Sequence, residues 1–371
     1  MPTPKYSRPI IIGVRQVPTG APISFDDLMI NLGRNSGNMM FTHSLTTVLA
    51  NARLGSYQLK DEELEGHDSI VIAAANWVNE FDDFGWLADR LESTSLPVFL
   101  VGLGAQADSS HAIPAVSAGT LKLLSLVQER STGIAARGHF SCEVLNKFGI
   151  KAVEATGCPS LLLLGPAGPQ ARLEQDVSFD APAIHSTRHA RGAIDSFQTY
   201  LYQQAYKHRY DIVLQSEQPD INIVLDDVAN SEISERYYAM IEDSYGADRA
   251  SVSDYLRSHG RFFSCYDDWI NYARSRSFCL GTRIHGTIAS LIAGTPAVLI
   301  AHDARTSEMA NIMSVPHVSP QTIATDKDLN FSEIYSAQAA ANFRTGYAKY
   351  YSNYLSYFDK MGIAVDPQYR I

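Results

Sequence analysis

Apolar strand-length runs separated by helical segments constrain the fold of this 371-residue chain more than any other feature. Two clear examples are Ser69 to Ala75 and Pro97 to Gly102, which contain almost only apolar or small residues. Such continuous runs are typical of parallel strands covered by helices on both faces. Strand and helix patterns alternate with a period of roughly 25 to 35 residues, which predicts an α/β fold with doubly wound sheets.

The alternation is interrupted once, by a segment rich in Gly and Pro that has no apolar period. We therefore predict a Rossmann-like domain over residues 1–165, a linker over 166–179 and a second Rossmann-like domain over 180–325, with a cleft between them. Residues 326–371 are predicted to be helical, with one helix from Phe331 to Met361. Its tyrosines recur at helical spacing, which favours a core contact, and the first domain is the expected partner.

Composition and charge exclude several classes of partner. The net charge is −10, whereas nucleic acids and anionic membranes attract basic surfaces. No run reaches the ~18 apolar residues of a membrane span, and the N-terminus lacks a signal-peptide pattern. The four cysteines form no CxxC pair, so we expect free thiols, no metal site and a cytoplasmic location.

The stretch from Phe278 to Met309 carries the densest set of chemically active side chains. A short strand ends at Gly281, and Arg283 and His285 follow it directly. A second strand, Ala297 to Ala301, is followed by the polar residues His302, Asp303, Arg305 and Glu308. Ligands of open α/β sheets bind at the carboxyl ends of the strands, so this stretch predicts a site for an anionic ligand.

Four arginines follow the ends of predicted strands: Arg137, Arg188, Arg283 and Arg305. The planar guanidinium group binds carboxylate and phosphate groups in a bidentate manner, which suits a small ligand with several negative charges. Position favours a binding role for Arg137 and Arg283. For Arg188 and Arg305, a structural ion pair or a surface charge remains an equal alternative.

His285 is the candidate acid/base group, because the ordinary pKa of histidine lies near neutrality. Capping of the following helix is the alternative for His285, as it is for Asp303. The glycine-bearing loop from Asn31 to Phe41 precedes a helix predicted from Met39 through Leu54. It could bring backbone N–H groups to a ligand or form a surface turn, and both interpretations stay open.

Four segments, taken in order, carry a family resemblance. They are Asn35 to Asn38; Gly102 to Gln106; Ala136 to Ser141 with Gly157 to Ser160; and Arg283 to Gly286 with Ala293 to Pro296. Together they resemble the polysaccharide pyruvyl transferase family. The resemblance implies a GT-B-like fold with two Rossmann-like domains. It also implies transfer of a pyruvyl group from phosphoenolpyruvate onto a sugar of a cell-surface polysaccharide or its precursor, forming a ketal without a cofactor.

The residues and the resemblance together predict the site. The catalytic residues would be His285 and Arg283, and the substrate-binding residues would be Arg137, Arg305, Arg188, Asn38, Gly104, Gln106 and Glu308. Two positions depart from the family pattern: Cys158 precedes Pro159 where the family often has Asp, and Arg305 stands where a lysine is frequent.

Two other functions remain compatible with the sequence. A nucleotide-sugar glycosyltransferase on the same fold would use Glu308 for a ribose and His285 for a diphosphate. A non-catalytic glycan- or metabolite-binding protein would keep the arginines and the histidine but show no turnover. The expected partners are phosphoenolpyruvate and a glycan or lipid-linked oligosaccharide; a lipid-linked acceptor would bring the protein to a membrane surface. The acceptor sugar, the ketal position and the oligomeric state are open.

Overall fold

The computed structural model describes residues 4–106, 113–131, 133–169, 177–188, 196–225 and 235–370. The centre of the predicted linker, residues 170–176, lies outside these ranges.

The first half of the chain forms a six-stranded sheet in the order β2-β1-β3-β4-β5-β6. Every neighbouring pair of strands is parallel. The strands are β1 Pro9–Ile12, β2 Arg53–Gly55, β3 Ser69–Ala73, β4 Val98–Leu103, β5 Ile134–Ala136 and β6 Val153–Ala155. The helices of this half are α1 Phe25–Asn31, α2 Asn38–Val48, α3 Asp61–Leu64, α4 Gly85–Glu92, α5 Ala118–Arg130, α6 His139–Lys147 and the 3₁₀ helix Pro159–Leu164.

The second half forms another six-stranded parallel sheet, in the order β12-β11-β10-β7-β8-β9. Its strands are β7 Pro182–His185, β8 Asp211–Leu214, β9 Gly260–Phe262, β10 Phe278–Gly281, β11 Ala297–Ile300 and β12 His317–Val318. Its helices are α7 Ser196–His208, α8 Gln218–Val224, α9 Glu235–Tyr245, α10 Arg249–His259, α11 Tyr266–Arg274, α12 Ile284–Ala293 and α13 Ala304–Met313. The chain continues through the 3₁₀ turn Pro320–Thr322, helices α14 Phe331–Ile334 and α15 Ala337–Met361, and the 3₁₀ turn Pro367–Tyr369.

The two parallel sheets confirm the predicted α/β fold with two Rossmann-like domains. Every residue of β3 and β4 is buried, as their continuous apolar sequences predict. The carboxyl ends of the two sheets face each other. Ser36, beyond β1, donates its N–H to the carbonyl of Gln215 beyond β8 at 3.0 Å. On the same side, the N–H of Val17 donates to the carbonyl of Ser264 at 2.9 Å.

Two helix predictions were wrong in extent. The helix predicted from Met39 to Leu54 ends at Val48, and the chain then forms the edge strand β2 beside β1. The helix predicted from Phe331 to Met361 is broken, because Ser336 takes an extended conformation and caps α15 by accepting the N–H of Ala339.

The C-terminal helix α15 packs against the first half of the chain through its tyrosines. The hydroxyls of Tyr347, Tyr350 and Tyr354 donate to the carbonyls of Gly165, Cys158 and Gly157, at 2.8, 2.5 and 2.8 Å respectively. Their rings are buried, so the stripe is a core contact, as its spacing predicts.

Among the described residues, no helix is both long enough and apolar enough to cross a membrane. All four cysteines are unpaired, as the sequence predicts.

Candidate active site

Arg137 lies at the carboxyl end of β5 and is almost fully buried. Its Nε donates to the carbonyl of Gly102 at 2.7 Å, and its two terminal nitrogens donate to the carbonyl of Ala74 and to Oδ1 of Asn76. The guanidinium carbon lies 5.3 Å from the centre of the Phe41 ring. None of the described residues brings a carboxylate to this guanidinium. Arg137 is therefore a buried cation held by neutral oxygens and an aromatic face.

Arg305, in the second domain, affects the pKa of Arg137. Burial lowers the pKa of Arg137, and the charge of Arg305 lowers it further. Arg305 lies in the first turn of α13 and donates to Oδ2 of Asp303 at 3.1 Å. Its Nε is buried and has no hydrogen-bond partner among the described residues. One guanidinium without a carboxylate partner and a second with a partly unused donor set thus act on each other electrostatically, which favours binding of an anion.

His285 is the second residue of α12, so the strand–helix turn brings it to the same cluster. Its ring is buried, lies 5.7 Å from the Phe41 ring and places Nε2 3.5 Å from Sγ of Cys158. The edge bearing Nδ1 packs against Gly37, where a Cβ atom would lie 2.7 Å from Nδ1. A glycine is thus required at position 37 for the loop to approach the imidazole.

The surroundings of His285 keep its imidazole neutral. Burial and the charges of Arg137, Arg283 and Arg305 lower its pKa to about 3. The acid/base role predicted for His285 rests on the ordinary, near-neutral pKa of histidine. That value does not hold for His285 in the unliganded protein. A bound anion would offset the arginine charges and raise this pKa, because a negative charge favours the imidazolium form.

Arg283 caps α12 and is held in a buried ion pair. Its guanidinium contacts a carboxylate oxygen of Glu217 and donates to Oγ of Ser216 at 2.6 Å. Although burial opposes ionisation of Glu217, the Arg283 charge and the N–H of Gln215 lower the pKa of the carboxyl group. Arg283 therefore lies in the predicted cluster, but its charge is already paired.

His185 orients the turn that carries Arg283 and His285. Its Nδ1 accepts the backbone N–H of Arg283 at 3.0 Å, so Nε2 carries the proton and lies 3.4 Å from Oγ1 of Thr287. Burial, together with the Arg283 charge, lowers the pKa of His185 to about 3. A Cβ at Gly281 would lie 1.8 Å from the His185 carbonyl, so only glycine permits this contact.

The loop before α2 lies against His285, on the other side of the cleft. Asn38 uses its side-chain amide locally and donates to the carbonyls of Leu32 and Gly33, at 3.1 and 3.2 Å. In contrast, Oγ of Ser36 and Nε2 of Gln215 are buried and have no hydrogen-bond partner within the described ranges. Buried polar groups without partners are rare in native proteins, so these two atoms are candidates for contact with a ligand.

The glycine-rich segment after β4 supports Arg137. At Gly104 a Cβ would lie 2.4 Å from Oδ1 of Asn76 and 3.2 Å from Cδ of Arg137, so glycine leaves room for both side chains. Gln106 is exposed, and its N–H donates to the carbonyl of Val78 at 2.9 Å. Direct ligand contact by Asn38, Gly104 and Gln106 stays a prediction.

Arg188 is held by buried polar partners in the second domain. Its guanidinium forms a fully buried ion pair with Asp220 and donates to Oγ of Ser244 at 3.2 Å. Tyr245 donates its hydroxyl to the other oxygen of Asp220 at 3.0 Å. The alternative of a structural ion pair therefore accounts for the observed contacts of Arg188.

Glu308 joins the two halves of the chain at the start of α6. One of its carboxylate oxygens accepts the N–H of Phe140 at 2.5 Å, and the other lies where a Cβ of Gly138 would be. A carboxylate at a helix N-terminus is favoured by the unpaired N–H groups and the helix dipole. Asp303 similarly caps α13 and accepts the N–H of Thr306 at 2.6 Å.

Two cavities flank the cluster of Arg137, Arg283, His285 and Arg305. The first has a volume of about 1210 Å³, and Ser216 and Glu217, the partners of Arg283, are in its lining. The second has a volume of about 1120 Å³, and Asp303, the partner of Arg305, is in its lining. Each cavity therefore borders a partner of one arginine of the cluster and is large enough for a ligand.

Sequence reasoning missed the partners of the predicted residues. Glu217 follows a predicted strand end, but nothing in the sequence indicates its pairing with Arg283. Ser36 and Phe41 lie in the loop that the sequence singles out, but nothing there indicates their contacts, and Gln215 carries no motif. The approach of Cys158 to His285 joins segments 127 residues apart.

Comparison with solved structures returns proteins of low identity to this chain. The S. aureus MnaA–UDP co-structure has 11% identity and a TM-score of 0.42, and the alignment covers 95% of this chain and 97% of that chain. Anabaena HepE in complex with UDP and glucose has 10% identity and a TM-score of 0.44, with 94% and 100% covered. A putative UDP-N-acetylglucosamine 2-epimerase from Listeria monocytogenes has 9% identity and a TM-score of 0.46, with 96% and 97% covered.

Comparison with protein families is more specific, although no curated protein sequence matches the chain. The polysaccharide pyruvyl transferase model matches residues 7–304, a range that includes Arg137, Cys158, Arg283 and His285. The match spans most of the chain, and the protein belongs to the polysaccharide pyruvyl transferase family.

Proposed function

We propose that the protein transfers a pyruvyl group from phosphoenolpyruvate onto two hydroxyls of a sugar in a cell-surface polysaccharide or its precursor, forming a ketal. The observation that carries this proposal is the buried guanidinium of Arg137, which has no carboxylate partner in the described part of the chain and interacts electrostatically with Arg305 and His285. Phosphoenolpyruvate carries its phosphate ester and its carboxylate on the same carbon, C2, so it can neutralise two arginines at once.

The reaction balances without an additional reactant. A proton adds to C3 of phosphoenolpyruvate, which becomes the methyl group, and a sugar hydroxyl forms a bond to C2. The C2–O bond to phosphate breaks, and a second hydroxyl of the same sugar attacks C2 and closes the ketal. Of the two protons lost by the hydroxyls, one balances the proton at C3 and the other leaves with inorganic phosphate.

The arginines would act mainly on phosphate. Negative charge accumulates on the phosphate oxygens as the C2–O bond breaks, and fixed cations in a buried site stabilise that charge. Arg137, which has no carboxylate partner among the described residues, and Arg305, whose Nε has no partner there, suit this role. Arg283 is paired with Glu217, so its proposed part is to hold the turn of His285 and to add to the local positive potential.

His285 would gain its proton together with the donor. In the unliganded site the pKa of His285 is lowered to about 3 by burial and three arginines. A phosphoenolpyruvate anion between Arg137 and Arg305 would offset two of those charges and raise the pKa toward neutrality. Proton transfer to C3 or from a hydroxyl then becomes accessible only after the donor has bound.

A ligand-dependent melting experiment tests the donor. Phosphoenolpyruvate is expected to raise the melting temperature of the wild-type protein through mass action, whereas UDP-glucose and UDP-N-acetylglucosamine are not. Arg305→Met should abolish the shift, and Arg53→Met, an equal change at an exposed position, should leave it intact. Stabilisation by a UDP-sugar alone would contradict the proposal and favour a nucleotide-sugar glycosyltransferase.

A further inference from the structure

The second cavity lies between the two domains, on the Arg305 side of the charged cluster. Three helices form much of its wall. The start of α6 contributes His139 and Phe140, α13 contributes Glu308 and Asn311, and α15 contributes one face of its middle turns. The cavity borders the cluster through Asp303, whose carboxylate accepts from Arg305.

The α15 face in this cavity differs from the tyrosine face of the same helix. Gly346, Lys349 and Asn353 are spaced by three and four residues, so they lie on one side. Gly346 lets the helix approach the end of α13, because a Cβ there would lie 2.0 Å from Oγ of Ser314. The tyrosines fix the helix to the first domain, and Lys349 and Asn353 remain exposed to the cavity.

The chemistry of the lining distinguishes this cavity from the anion site. Arg137, Arg283 and Arg305 are absent from its lining, which contains two carboxylates, Asp303 and Glu308, and a single lysine. Carboxylates disfavour a second anion such as a diphosphate. Amide groups and carboxylates beside an aromatic ring are suited to a neutral ligand with many hydroxyls.

The position of the lining along the chain is a separate observation. Arg137, Arg283 and His285 of the proposed donor site lie within the range 7–304 that the family model matches, and Arg305 lies one residue past its end. In contrast, Glu308, Asn311, Lys349 and Asn353 lie beyond that range. The wall formed by α13 and α15 is therefore outside the part of the chain that the family model describes.

We infer that this second cavity binds the glycan acceptor as a neutral oligosaccharide, and that α15 supplies the acceptor-specific wall. The inference rests on the proposed function, which requires a sugar with two free hydroxyls next to the donor. The volume of about 1120 Å³ exceeds the roughly 300–1,000 Å³ of typical small-ligand pockets, so more than one sugar ring can enter. Its connection to the cluster through Asp303 and Arg305 places those hydroxyls beside the donor site.

Saturation-transfer difference NMR tests the inference without needing turnover. The probes are the methyl glycosides of galactose, glucose, mannose and N-acetylmannosamine, together with lactose and cellobiose. At least one probe should bind the wild-type protein, and Asn353→Ala should weaken that binding about ten-fold through loss of polar contacts. Asn311→Trp, which fills the cavity from an exposed position on α13, should abolish it.

Matched controls use Asn342, which is exposed on α15 and does not line the cavity. Asn342→Ala and Asn342→Trp should bind the glycosides like the wild-type protein. The inference is overturned if no probe binds the wild-type protein, or if Asn311→Trp binds as well as Asn342→Trp. It is also overturned if Asn311→Trp loses stabilisation by phosphoenolpyruvate and keeps glycoside binding.

The same samples separate this inference from the proposed function. If the glycosides behave as expected while phosphoenolpyruvate never stabilises the wild-type protein, the acceptor site stands and the donor assignment fails. If phosphoenolpyruvate stabilises every variant but Asn311→Trp binds the glycosides as well as the wild-type protein does, the donor assignment stands and the acceptor site fails.

Discussion

The Sγ atom of Cys158 lies 3.5 Å from Nε2 of His285, and both side chains are buried. The thiol also lies 3.1 Å from Oγ of Ser160, so it belongs to a short chain of polar contacts that ends at the imidazole. Position 158 therefore supplies no carboxylate beside the imidazole, whose pKa is lowered by burial and by the charges of Arg137, Arg283 and Arg305.

Replacing the thiol with a carboxylate should change the protonation of His285. In Cys158→Asp, the negative charge beside Nε2 is expected to raise the pKa of His285 from about 3 toward neutrality. The pH dependence of the imidazole nitrogen shifts in NMR measures this change. Cys158→Ser, which keeps the site neutral, is the control. An unchanged titration of His285 in Cys158→Asp would contradict the assigned contact.

The two buried neutral histidines should make the protein less stable in acid. Folding lowers the pKa of His185 and of His285 from 6.5 to about 3, so between these pH values the unfolded chain binds more protons than the folded protein. Stability is therefore expected to fall as the pH drops from about 6.5 toward 3, by up to ~1.4 kcal/mol per pH unit for each histidine.

Urea unfolding at a series of pH values measures this contribution. His185→Asn should reduce the slope of the free energy of unfolding against pH by about one histidine's share, ~1.4 kcal/mol per pH unit. The exposed His139 provides the comparison, and His139→Asn should leave the slope near that of the wild-type protein. Equal slopes in all three proteins would show that His185 is not held neutral.

Breaking the ion pair between Arg283 and Glu217 should lower the free energy of unfolding substantially. Glu217→Gln leaves the Arg283 charge buried without its partner, and we expect a loss of about 3–5 kcal/mol in the free energy of unfolding. The same change at Glu235, whose pair with Arg249 is exposed, should have little effect. Urea unfolding measures both variants. Similar small losses in the free energy of unfolding would contradict the pairing and indicate that Arg283 is free to bind substrate.

The contact of Glu308 with the N-terminus of α6 should contribute to stability and not to donor binding. Glu308→Ala is expected to cost about 0.5–2 kcal/mol, in the range of other lost helix caps, because the N–H of Phe140 loses its acceptor. Stabilisation by phosphoenolpyruvate should persist in this variant. Loss of a UDP-sugar shift in Glu308→Ala would instead support a ribose-binding role.

The architecture follows from short-range sequence patterns because buried parallel strands are apolar along their whole length. Strands such as β3 and β4 could therefore be predicted, and the placement of Arg137, Arg283 and His285 at strand ends followed from them. Edge strand β2 could not, since its Arg53 and Leu54 are exposed and show no strand pattern.

The electrostatics of the site could not be predicted, because they depend on contacts between distant segments. Arg283 meets Glu217 across 66 residues, and Glu308 meets Phe140 across 168 residues. The sequence places His285 correctly in a strand–helix turn but does not show that three arginines and burial lower its pKa. Only the assembled cleft decides which arginine is paired and which is available.

The most direct test of the account is the reaction itself, run in deuterium oxide. The protein is incubated with phosphoenolpyruvate and the glycoside that binds best in the NMR experiment, and the products are analysed by mass spectrometry and NMR. We expect a pyruvyl ketal of the glycoside with one deuterium in its methyl group, formed together with one inorganic phosphate, and no product in His285→Gln. Release of phosphate without a ketal, or a ketal without deuterium at C3, would contradict the account.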